Sequence, residues 1–103
     1  MIENKGKKYY TTYEIKDMVN EPDTELHKLW FENMPHQRDF VLIEQVNRIM
    51  YEGKNNKHIS VAEFTRTENG KKKYFAFLID DVFEYVKTRE SLKQYNVKFT
   101  DKE

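Results

Sequence analysis

Hydrolysis, proton transfer or metal binding in this chain would fall to His27, His36, His58 and eighteen carboxylates. The histidines lack the i, i+4 spacing that sets two imidazoles on one helical face, and there is no cysteine, so the sequence predicts no metal site. Asp80, Asp81 and Glu84 are the nearest thing to a cation cluster. The two aspartates are accounted for more simply as caps of a following helix. Gly6, Gly53 and Gly70 are too scattered to cradle a phosphate, and neither Ser60 nor Ser91 lies in a nucleophile motif. Pro22-Asp23 has no acid-x-lysine downstream at nuclease-like spacing. The expectation is a protein that is not an enzyme and carries no cofactor.

What remains is binding chemistry. Arg66, Lys71, Lys72 and Lys73 crowd around one predicted turn, where they would meet backbone phosphates or a minor groove. Gln45, Asn47 and Arg48, with Gln37 and Arg38 just before them, are side-chain types that read base edges in a major groove. The predicted partner is therefore double-stranded DNA, with these nine residues as the DNA-binding set.

Charge supports an oriented surface and no strong indiscriminate grip. The formal net charge is zero, which speaks against bulk attraction to nucleic acid. Yet Lys54, Lys57, Arg66, Lys71, Lys72 and Lys73 face only Glu63 and Glu68 between positions 54 and 73. From 14 to 25 the bias reverses, with Glu14, Asp17, Glu21, Asp23 and Glu25 against Lys16. Apolar residues are 38% and charged residues 35% of the 103, so the core must be small and rely on aromatics. MIENKGKKYY lacks the apolar run of a signal peptide, and no stretch approaches the ~20 residues of a membrane span. A cytoplasmic protein without a membrane partner is expected.

The elements that must hold these residues can be read in order. Residues 1–8 are polar and expected to fray, as are 96–103; Tyr9-Tyr10 suits a short strand. Thr11 and Glu14 have capping-box spacing before Ile15, Met18 and Val19, and Asn20 ends that helix. Pro22 is placed as the first residue of a second helix buried through Leu26, Leu29 and Trp30, which Pro35 ends. Asp39 is expected to cap a third helix along Leu42, Ile43, Val46, Ile49 and Met50, with Gly53 as its left-handed stop. Asp80 or Asp81 would cap a fourth helix carrying Val82, Tyr85, Val86 and Arg89.

Between the last two helices, Asn69-Gly70 predicts a type I′ hairpin turn. That turn would pair Arg66 with Lys73, Thr65 with Tyr74, Phe64 with Phe75 and Ala62 with Phe77. Ala62, Phe64, Phe75, Phe77 and Ile79 would then share an apolar face, with Glu63, Thr65, Thr67, Lys72 and Tyr74 opposite.

Three helices, a basic-tipped hairpin and a closing helix make an α+β chain in the order of a winged helix-turn-helix, expected as one domain over 1–103. YYTTYEIKDMV resembles the start of excisionase-type and MerR-like DNA-binding domains, and KKKYFAFLIDDVFEYV resembles their end. VAEFTRTENGKKKYFAFLIDDVF is also similar to phage regulatory proteins of the Rha type. These resemblances imply transcription regulation or an architectural role, phage or mobile-element ancestry, and dimerisation through the last helix. The competing expectation is a small modulator that captures a protein, since Tyr9, Tyr10, Tyr13, Phe31, Tyr51, Tyr74 and Tyr95 suit an interface.

Overall fold

The computed structural model describes residues 1–33, 40–66 and 72–88. The expected Asn69-Gly70 turn, the Asp39 cap, the Pro35 stop and Arg89 lie outside them, as do Gln37, Arg38 and Lys71. The described chain is a small α+β domain of four helices and a four-stranded antiparallel sheet in the order β1-β2-β4-β3.

The N-terminus is ordered into this sheet rather than frayed. β1 (Ile2–Asn4) and β2 (Lys7–Tyr10) pair around Lys5 and Gly6, whose φ values are 55° and 78°. Positive φ at both central residues matches the twist of a two-residue hairpin. Lys-Gly is a weaker turn signal than Asn-Gly, which is why the strand pair is hard to foresee.

The predicted capping box does start α1 (Thr12–Val19): the Thr11 hydroxyl accepts from Glu14 N–H, and the Glu14 carboxylate accepts from Thr11 N–H at 2.9 Å. Asn20 closes it. Its side chain also accepts from Val41 N–H at 2.7 Å and donates to Val41 C=O at 2.9 Å, pinning the approach to the third helix.

α2 (Glu25–Asn33) begins three residues after the expected Pro22 start. Thr24 is the cap, because its hydroxyl accepts from His27 N–H while donating to Met18 C=O at 2.6 Å. His27 completes this corner with Nδ1 2.7 Å from Val19 C=O. A carbonyl can only accept, so Nδ1 carries the proton.

α3 (Ile43–Asn55) follows Leu42 as its cap position and passes through Gly53 without ending there. The left-handed residue is Lys57, φ 63°. Around it His58 N–H reaches Gly53 C=O at 2.8 Å and Lys57 N–H reaches Lys54 C=O at 3.1 Å, the two bonds of a Schellman stop. Gly53 is needed for space instead. A Cβ there would lie 2.7 Å from Ile59 Cγ1 and 3.3 Å from Tyr85 Cδ2.

β3 (Val61–Thr65) and β4 (Lys73–Leu78) form the expected hairpin, but one residue out of the predicted register. Phe64 pairs with Tyr74, Ala62 with Ala76 and Val61 with Phe77. Because side chains alternate, a one-residue slip sends a whole strand's set to the other face. Ala62 and Phe64 therefore do not share a face with Phe75 and Phe77.

β4 leads straight into α4 (79–88). Asp81 does not serve as its cap: the carboxylate accepts from Ser60 N–H at 2.9 Å and ties the helix to the entrance of β3.

All four helices pack on one side of the sheet. Ile15, Val19, Leu26, Trp30, Val46, Met50, Val82 and Val86 are fully buried, and Phe77, Tyr10, Phe75 and Val61 are the sheet's contribution to that core. Trp30 Nε1 is buried without a hydrogen-bond partner. No described helix is long and apolar enough to cross a membrane.

Candidate nucleic-acid interface

The exposed stripe of α3 is Glu44, Arg48, Tyr51 and Asn55, spaced so that one residue follows another up the same helical face. This stripe runs beside the inner, core-directed face of the hairpin. Tyr51 stands edge-on to Phe75 and Phe77, with ring centroids at 6.1 and 5.6 Å. The Lys54 ammonium sits 4.5 Å from the Phe75 centroid and 6.0 Å from that of Tyr51. Edge-to-face rings and an ammonium over a ring are each favourable by about 0.5–1.5 kcal/mol. These contacts join the exposed side of α3 to the hairpin.

Beyond Phe75 on the same face come Lys73 and, across the ladder, Thr65. Lys73 is paired with Glu63 at 3.1 Å. Both partners stand in solvent, where such a pair contributes at most about 1 kcal/mol and yields readily to a competing anion. The surface thus gathers Arg48, Lys54 and Lys73 around two aromatic edges.

The expected DNA-binding set divides on this geometry. Arg48 is exposed, and Asn47 is half-buried beside it. Gln45 is held differently: its Oε1 accepts from Leu42 N–H at 2.9 Å, closing the first turn of α3. Arg66 and Lys72 are exposed on the outer face of the hairpin, so they do not join Lys73. The guanidinium of Arg66 lies 5.3 Å and the ammonium of Lys72 5.6 Å from the Tyr74 centroid. Gln37, Arg38 and Lys71 fall outside the described residues.

Two members of the surface are missing from the expected set. Lys54 and Tyr51 fall three apart on the helix, a spacing that sets them side by side. Their partner Phe75 becomes visible only once the ladder register is known.

Among the described residues, no group of three or more His, Asp or Glu could hold a metal ion. A cleft of about 520 Å³ between α2 and α4 is lined by Glu25, Lys28, Leu29, Glu32, Asp80, Phe83 and Lys87. Its mixed charges favour neither an anionic nor a cationic ligand.

No family model matches the chain, and no curated protein or solved structure proves similar to it.

Proposed function

We propose that this protein is a non-enzymatic regulator or architectural protein that binds duplex DNA in the manner of a winged helix. In this reading α3 addresses the major groove, and the hairpin lies along the backbone. The observation that supports it is the contact of Tyr51 and Lys54 with Phe75, beside which Lys73 lies on the same strand face and Arg48 on the same helix face as Tyr51. The topology supports it as well: the strand before the three helices pairs with the hairpin that follows them.

Phosphate neutralisation makes affinity fall with salt, by about 0.9 log units per log salt for each phosphate engaged. The triple variant Arg48→Ala, Lys54→Ala, Lys73→Ala should therefore flatten the slope by up to about 2.7. A salt-titrated anisotropy assay on random-sequence duplex measures it. An unchanged slope, or no binding at low salt, overturns the proposal.

A second reading, capture of a protein partner, rests on Phe40 and Leu42. They are 59% and 52% exposed on either side of buried Val41, in the segment that Asn20 holds rigid. Apolar side chains presented on an anchored backbone suit a protein pocket. A single stoichiometric partner, lost with Phe40→Ser and Leu42→Ser while duplex binding is absent, would select this reading.

A further inference from the structure

The outer face of the sheet carries a pattern that the duplex reading leaves unused. Residues paired directly across an antiparallel ladder share a face, so Ile2, Tyr9 and Leu78 form one row, Ala62 and Ala76 a second, and Phe64 and Tyr74 a third. An antiparallel sheet with one face on the core ordinarily turns a polar face to water. Here the outer positions of β3 and β4 are apolar or aromatic from Ala62 to Leu78; Ala76 and Leu78 are buried, while Phe64 and Tyr74 are half-buried and do not join the core beneath the helices.

Phe64 and Tyr74 stack at 5.7 Å between centroids with 27° between their planes. Both are half-buried, and the exposed Arg66 and Lys72 reach over Tyr74 from the strand ends. Lys7 lies on the same face, opposite Asn4. No described strand residue of this face is a carboxylate; Glu3 and Glu63 point to the other side.

We propose that this face is a stacking platform for single-stranded nucleic acid. Bases offer a π-face whatever their identity, and a ring pair with flanking cations binds them through stacking while neutralising the adjoining phosphates. A duplex keeps its base faces within the helix, whereas an unpaired strand can splay them onto the rings. The charge pattern complements a polyanion, because Arg66, Lys72 and Lys7 meet no opposing acid among the described strand residues of the face. Arg66 and Lys72 are exposed, so they can exchange a ring for a phosphate at little cost.

This platform lies on the reverse of the hairpin from Arg48, Lys54 and Lys73, so the two proposals can fail separately. The test is fluorescence anisotropy on the full chain with labelled oligo-dT and oligo-rU of about 12 nucleotides at about 50 mM salt. Phe64→Leu and Tyr74→Leu keep apolar bulk, and circular dichroism with a thermal melt checks that each still folds. Each should weaken single-strand binding at least about 5-fold, the lower end of what removing one stacking ring does. Arg66→Ala with Lys72→Ala should lower the salt slope by about 0.7 for each phosphate that is no longer neutralised. Lys54→Ala should leave single-strand affinity unchanged while weakening duplex binding. The proposal is overturned if neither oligonucleotide binds, if folded Tyr74→Leu binds like the parent, or if Lys54→Ala weakens single-strand binding as much as the ring variants do.

Discussion

On the inner face of the β3–β4 hairpin, Phe75 and Phe77 lie against Tyr51 and Lys54 of α3; on the outer face, Phe64 and Tyr74 stack on each other beneath Arg66 and Lys72. The chemistry of the two faces is nearly the same, two rings and their cations. What differs is a helix laid on top. Phe77 is fully buried, and the apolar area it removes from water contributes to holding the fold. Half-buried Phe64 contributes less to folding and leaves more surface for a ligand. A ring's role in this hairpin follows from which face it occupies.

The contrast breaks most directly by truncation. Phe77→Ala should lower unfolding free energy by about 3–5 kcal/mol, and Phe64→Ala by no more than about 1.5 kcal/mol, in urea melts monitored by Trp30 fluorescence. Equal losses would mean that the outer ring is as structural as the inner one. Gly53→Ala comes next. The new methyl must displace Ile59 behind the inner face, for about 1–3 kcal/mol, while any oligonucleotide affinity of the folded fraction stays unchanged.

The smallest effect lies outside both faces. Burial pushes the Glu14 carboxyl up, but hydrogen bonds from the N-terminal ammonium and from Thr11 outweigh it and leave the group below its ordinary range. A carboxyl lowered in the folded state adds stability above its unfolded pKa and loses it as pH falls through the folded value. Acid melts should therefore show the parent losing stability below about pH 4.5 more steeply than Glu14→Gln. Parallel acid profiles would show that the Met1–Glu14 pair contributes nothing.

Local signals in the sequence match the structure well. Thr11 and Glu14 cap α1 through contacts three residues apart, and the stripe of Val46, Ile49 and Met50 is buried as its period requires. Long-range arrangements are where the reading departs. Gly53 has the appearance of a helix stop because it precedes a polar loop, but its reason is Ile59, which folds back to touch it. Asp81 has the appearance of a cap, while its partner Ser60 is twenty-one residues away. The hairpin register is the costliest case. Both strands carry apolar residues at odd and even positions alike, so either parity sorts into a plausible core, and only packing against Tyr51 and Lys54 decides between them. That slip also moves Arg66 from the face of Lys73 to the face of Lys72.

β4 passes into α4 with no loop between, and Asp81 fastens the first turn of that helix back onto the neighbouring strand. A joint of this kind has no slack. Val82 and Val86 of that helix are fully buried, so a ligand gripping the ribbon is expected to change amide-proton protection along α4.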